Sequence, residues 1–415
     1  MQRKSISTIL LLSIFLFLTT QNEVLAQNKI SPYANTTVVL SLYDLPAAQG
    51  DAIKLDPSRV YIVSGMVNIS PKFIVLNGAS IKGNDPSKDG IISNVEGAVL
   101  RSYETDILMS NLGIILAGAK TTAYEFVDKS STKFCNLLAG NSVLDVPNVQ
   151  SGGVGQILGF NAVYITANYW RTAIGLKLTG KTGKFCSSYN YIVGIASGAA
   201  IEFGAEYKAS DIDLSNNYFV YSGDVGVNLV AGADIDQGRV SGNLCRGVAN
   251  LLKGFGSHSP GWEMRLNGAG VPDTRPFGFM YMNDNEPFAQ TKFLSTNLYT
   301  KIVGATTSSK VDAFIATDNR FTYTGKRPLL VRATVNIGAR APENNSDFSI
   351  VVMKNGLTPV AASSSKVTLN KGEGFQINLE TIVELIQNDY IEVFLKNNST
   401  ATPITVRDLQ FKVSN

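Results

Sequence analysis

Six asparagines recur at similar intervals through the middle third of this chain: Asn111, Asn136, Asn168, Asn190, Asn217 and Asn243, with gaps of 25, 32, 22, 27 and 26 residues. Their contexts are alike, from Ser110-Asn111-Leu112 to Gly242-Asn243-Leu244, and the residue after each Asn is always Leu or Tyr. A period in the twenties is that of a stacked solenoid, because one such unit cannot bury its apolar face alone. The intervening runs are β-branched and Gly-rich and lack helical periodicity. Each unit therefore reads as one coil of a right-handed parallel β-helix. Asn suits the corner of a coil: it tolerates left-handed backbone angles, and its amide can bond to the Asn of the next rung.

Length and composition fit that reading. A chain of 415 residues holds two or three domains and buries a substantial core. Charged residues make up 17%, below the usual quarter, and Gly numbers 37, the balance of an all-β extracellular protein. A net charge of +3 is too small to imply nucleic acid as a partner. Residues 1–26 read as a secretory signal: Arg3 and Lys4, an apolar core from Ile9 to Leu18, and Val24-Leu25-Ala26 before the cleavage point. That core is too short to span a bilayer, and no later segment resembles a membrane span. Secretion or surface exposure is the expected location. Cys135, Cys186 and Cys245 sit at different offsets from the repeat Asn, so stacked coils do not align them for bridging.

The expected organisation after the signal is a cap segment over 27–59, the parallel β-helix over 60–253, a connector over 254–290 and a second unit over 291–415. In the coils, Ile174, Leu176, Leu178, Ile201, Phe203, Val227 and Leu229 should point inward, with Lys177, Glu202 and Asn228 outward. The second unit alternates repeatedly, as in Leu329, Val331, Ala333, Val335 and Ile337, with Asn344-Asn345, Asn355-Gly356 and Asn397-Asn398 as turns. Many half-buried strands at this spacing predict an antiparallel jelly-roll β-sandwich.

Four stretches of that unit resemble the complement-and-tumour-necrosis-factor-like jelly roll: Arg320-Phe321 through Gly325, Lys354-Asn355-Gly356, Asn388 through Val393, and Phe411-Lys412-Val413. The resemblance implies a homotrimer, with Tyr390 and Phe394, on one face of their strand, at the subunit interface. The whole mature chain also resembles phage tail-spike and receptor-binding proteins, on Phe134 through Ser142, Asp211 through Phe219 and Phe279 through Asn285. The signal sequence departs from that family, since virion proteins assemble in the cytoplasm.

The β-helix is also a scaffold of polysaccharide lyases and glycoside hydrolases, so chemistry has to be sought residue by residue. The motifs of polygalacturonases are absent, and the one histidine, His258, lies outside the repeat. Asp211, Asp213, Asp234 and Asp236 form the best carboxylate cluster, and would be the catalytic residues, with Arg239, of an enzymatic reading. Aligning Asn217 with Asn243 stacks Asp213 over Arg239 and Asp211 over Gln237, which favours a salt bridge between rungs. No metal site and no cofactor are expected. Aromatic residues line the corners, and ring faces beside polar groups make a sugar-binding surface. Tyr169, Tyr191 and Tyr218, after the repeat Asn, read as a core ladder. Trp170, Arg171, Tyr189 and Tyr221 are the ligand-binding candidates. The leading expectation is a secreted or surface-exposed, non-enzymatic trimeric attachment protein that recognises a glycan or cell-surface receptor. The alternatives are a polysaccharide-cleaving enzyme and a virion spike.

Overall fold

The computed structural model describes residues 35–415 except 131–133, 146–151, 256–261, 269–270, 272, 283–289 and 362. The signal segment and His258 lie outside the described residues. The protein is all-β: a parallel solenoid followed by an antiparallel sandwich.

A typical coil has three strands, such as Lys181–Ser188, Tyr191–Val193 and Ala199–Phe203. The first strands of successive coils stack into a ten-stranded parallel sheet, from Thr36–Val39 to Glu263–Arg265. The second and third strands cover the other two faces. They count as one fifteen-stranded sheet because Tyr218–Leu229 runs unbroken round a corner. Its first half pairs with Tyr191–Val193 and its second with Ala199–Phe203.

Stacking in register lines up the inward residues of one coil on those of the next. Leu144, Trp170, Ile192 and Phe219 form one such row, all fully buried. Val163, Phe185 and Ile212 form another. Each large apolar side chain so enclosed contributes about 1.5–3 kcal/mol. The second row ends at Gly238, where a Cβ would lie 2.4 Å from the Trp262 ring. The indole fills the space that a side chain at 238 would occupy and closes that end of the core. Ile174, expected inside, is 48% exposed, and buried Gly175 packs so close to the next coil that a Cβ there would meet the Ala199 carbonyl at 2.2 Å.

The solenoid begins earlier than its repeat suggests. Thr36–Val39 pairs in parallel with Val60–Val63, so the stretch read as a cap already belongs to the stack. The early coils turn their first corner without the Asn. Gly65 takes a left-handed conformation (φ 85°), and the Asp89 carboxylate accepts N–H groups from Gly65 at 2.8 Å, Asn84 at 2.9 Å and Asp85 at 3.0 Å.

The sandwich has its own core, built around Phe321, Phe348 and Phe411. One sheet runs Thr307–Asp312, Phe277–Met282, Ile404–Ser414, Leu329–Arg340, Gly374–Leu385. The other runs Phe314–Thr317, Arg320–Tyr323, Tyr390–Asn397, Ser346–Lys354, with Ser365–Leu369 also paired to the last of these. Neighbours in each sheet are antiparallel and, apart from the hairpin of Phe314–Thr317 and Arg320–Tyr323, far apart in sequence, the pattern of a jelly roll. Its first strand, Phe277–Met282, lies inside the stretch read as a connector, and strand Glu263–Arg265 in that same stretch still belongs to the solenoid. Gly374–Leu385 alternates exposed and buried residues along its whole length, one face toward the core.

Candidate functional site

The corner after the first strand of each coil is a two-residue turn with a fixed division of labour. Its first residue has left-handed φ: Asn111, Asn141, Ala167, Tyr189, Asn216, Gly242 and Leu266. From Asn168 onward its second residue is an Asn, and these form a hydrogen-bonded ladder that is buried except at its last member, Asn267. Asn168 Nδ2 donates to Asn190 Oδ1 at 2.9 Å, Asn190 to Asn217 at 2.9 Å, Asn217 to Asn243 at 2.9 Å and Asn243 to Asn267 at 3.1 Å. Each accepting oxygen also takes the backbone N–H of the Asn below it, at 3.0–3.2 Å. The ladder thus holds four of the asparagines singled out by spacing, and a fifth, Asn267, whose Leu266-Asn267-Gly268 context lacks the Leu or Tyr that follows the others. Asn111 and Asn136 are not in it. Asn111 occupies the left-handed position one residue earlier, where it accepts from Asn141 Nδ2 at 2.6 Å. Asn136 lies at the start of strand Asn136–Gly140, away from the corner.

Because the ladder Asn points inward, period-two alternation sends the next residue out and the one after it in. This reverses the roles read from sequence. Tyr169 and Tyr191 are over a third exposed and stack on each other outside the solenoid, centroids 5.6 Å apart and planes 7° apart. Tyr218 meets Tyr191 edge-on at 5.2 Å. Trp170, expected on the surface, is fully enclosed in the core row and has no access to a ligand. Tyr221 is also buried, its hydroxyl donating to the Val225 carbonyl at 2.5 Å. Burial pushes the Tyr221 phenol well above its ordinary pKa. Arg171 does face outward, held by a bidentate pair to Asp145 on the preceding coil at 2.6 Å for both contacts. That carboxylate raises the guanidinium pKa further. Tyr189 is 66% exposed beside this stripe, and among the described residues its ring packs on no other aromatic ring.

A cleft of ≈ 500 Å³ lies between the ten-stranded sheet and the head. Lys184, Asp211, Asp213, Asp236, Arg239, Glu263 and Arg265 line it from the solenoid; Arg275 comes from the segment between the two units, and Lys326 and Arg327 from the head. Side chains of the head reach the solenoid there. Lys326 pairs with Asp234, and Arg327 donates to the Ser210 carbonyl at 2.9 Å. Asp213 lies in register with Arg239 and forms an ion pair with it, and Gln237 donates to Asp211 at 3.1 Å. Asp211 also faces Lys184 at 3.8 Å, and Arg265 pairs with Glu263 at 2.7 Å. Three of the four aspartates read as acid–base candidates are thus held by cations. Asp236 is the one without a cation partner among the described residues, so the cluster supplies no free carboxylate pair for acid and base roles.

On the head, Tyr390 and Phe394 lie on an outer sheet face and are half-buried by their own chain. The Arg320 guanidinium sits 4.0 Å above the Tyr390 ring, and Lys301 pairs in register with Phe394. Between them Glu392 is almost wholly buried, bonded to Lys301 at 2.8 Å and Arg320 at 2.9 Å. More open apolar side chains, Leu330 and Ile382, lie on the outer face of the opposite sheet.

No protein-family model matches this chain, and no curated protein matches it. Among solved structures it is similar to the globular domain of zebrafish complement 1qA protein, at 10% identity over 33% of this chain and 95% of that one, with a TM-score of 0.24. It is also similar to murine APRIL at pH 5.0, at 7% identity over 34% of this chain and 99% of that one, with a TM-score of 0.23. The jelly-roll assignment rests on the strand order and pairing of the head itself.

Proposed function

We propose that this is a secreted or surface-exposed, non-enzymatic attachment protein, assembled as a trimer through its head, whose solenoid flank recognises a glycan of a cell surface. The observation that carries the reading is Tyr189. A large aromatic side chain stands open to solvent at a left-handed position (φ 57°), where the coils on either side have Ala167 and Asn216 at the equivalent turn. A non-glycine residue there costs about 1 kcal/mol, and strain of this kind concentrates at functional sites. An exposed ring face stacks on the apolar face of a sugar, as aromatic residues in binding sites do. The Tyr169–Tyr191 stack turns its ring faces toward each other and offers edges and hydroxyls, which suit hydrogen bonding to sugar hydroxyls. Arg171, fixed by Asp145, adds oriented donors. Three copies in a trimer multiply weak contacts of this kind.

The test is glycan-array binding by residues 27–415 and by Tyr189→Asn. Binding to at least one neutral glycan is expected, falling tenfold or more in the variant. The same substitution should stabilise the fold by about 0.5–1 kcal/mol, because Asn accepts the left-handed turn more readily. Equal binding by the two proteins, or no glycan bound by either, would sink this reading.

A further inference from the structure

We propose that the cleft between solenoid and head is a second binding site, for a small ligand carrying an oxyanion such as a carboxylate, sulfate or phosphate. The charge inside the concavity is complementary to an anion. Six cationic side chains line the cleft (Lys184, Arg239, Arg265, Arg275, Lys326, Arg327) against four carboxylates (Asp211, Asp213, Asp236, Glu263). The pairing among them is uneven. Lys184, Arg239 and Arg265 each have a carboxylate of the solenoid wall within 4 Å, and Lys326 has Asp234 outside the cleft. The guanidinium groups of Arg275 and Arg327 form no ion pair with a carboxylate among the described residues; the Asp312 carboxylate meets only the backbone of Arg275. Arg327 is anchored through a neutral carbonyl, which orients the guanidinium and leaves its charge uncompensated.

Both guanidinium-bearing residues line the cleft and both are exposed: Arg275 follows Thr274, which is bridged to Met264 at the edge of the ten-stranded sheet, and Arg327 comes from the head. Guanidinium is the side chain best matched to oxyanions, with planar paired donors. The volume is in the range of small-molecule sites, and junctions between domains are a common place for them. A ligand held here touches both units, so its binding couples the head to the solenoid. The site is separate from the tyrosine flank and does not depend on glycan recognition there.

The experiment is calorimetric titration of residues 27–415 with inorganic sulfate, inorganic phosphate and malonate, at ionic strength held constant with sodium chloride. Saturable binding of at least one anion is expected, weakened tenfold or more by Arg275→Ala and by Arg327→Ala, and unchanged by Tyr189→Asn. Preference for sulfate or phosphate over malonate would identify a tetrahedral group, and the reverse a carboxylate. Arg275 meets the head through its backbone, which bonds the Asp312 carboxylate and is kept in Arg275→Ala, so that variant separates loss of the anion site from loss of docking. No saturable binding of any of the three, or binding untouched by both arginine substitutions, overturns the proposal.

Discussion

At the residue scale, the corner asparagines combine two properties that the fold assigns to adjacent positions. Left-handed backbone belongs to the first corner residue, and rung-to-rung bonding belongs to the second. Asn217 shows why the second position is so demanding. Its Nδ2 donates to Ser187 O at 2.9 Å and to Asn243 Oδ1 at 2.9 Å, while its Oδ1 accepts from Asn190 and Ser187. Asn217→Asp is nearly isosteric but turns both donor contacts into oxygen–oxygen repulsion and buries a charge. Its expected cost is about 3–5 kcal/mol. Asn217→Ala, which leaves partners unsatisfied, should cost about 2–3 kcal/mol, and half-buried Asn111→Ala about 1–2 kcal/mol, from its left-handed backbone and one exposed hydrogen bond. Urea unfolding of the three variants orders them; equal losses at 111 and 217 would contradict the ladder.

At the scale of the element, the two ends of the solenoid solve the same corner with different chemistry. Toward the C-terminal end the neutral Asn ladder satisfies the turn. At the N-terminal end the single Asp89 carboxylate gathers three backbone N–H groups. Those bonds, led by the one from Gly65, hold its pKa below the ordinary carboxylate value. The folded state therefore binds this proton less readily than the unfolded chain does. The stability so gained is present above the unfolded-state pKa, near 4, and is lost as pH falls through the lower folded value. Asp89→Asn keeps the shape and removes the charge. It should destabilise the first coils by about 1–2 kcal/mol at neutral pH, with the deficit relative to the parent shrinking below pH 4. Thermal melts of parent and variant between pH 7 and pH 3 read this directly, and a deficit independent of pH would show that the carboxylate's charge has no part in the corner.

At the scale of the whole molecule, two cores meet across a charged cleft. The head presents two outer sheet faces, and they differ in how much of their apolar surface is already covered. Tyr390 and Phe394 are partly shielded by Arg320 and Lys301, whereas Leu330 and Ile382 stand in the open. If the head trimerises, light scattering of residues 27–415 gives a mass near three chains. Ile382→Lys should then weaken the assembly more than Phe394→Lys, since burying an unpaired charge is costly. A monomeric parent would remove the trimer from the proposed function, while a stronger effect at Phe394 would return the interface to the face read from sequence.

The sequence by itself determined the class of fold, because a coil period in the twenties and strict alternation in the C-terminal strands are set by backbone geometry repeated many times. It also determined the Asp213–Arg239 and Asp211–Gln237 registers, since aligning one corner aligns a whole strand. The tertiary structure alone decided which way each corner aromatic points. That depends on whether the Asn before it faces in or out, and one reversal of that sense moved Trp170 into the core and Tyr169, Tyr191 and Tyr218 to the surface. The first coils stayed hidden because Gly65 and Asp89 satisfy their corner without an Asn to mark it. The cleft stayed hidden because its walls come from segments over a hundred residues apart, Ser210 against Arg327, and only the docking of the head brings their charges together.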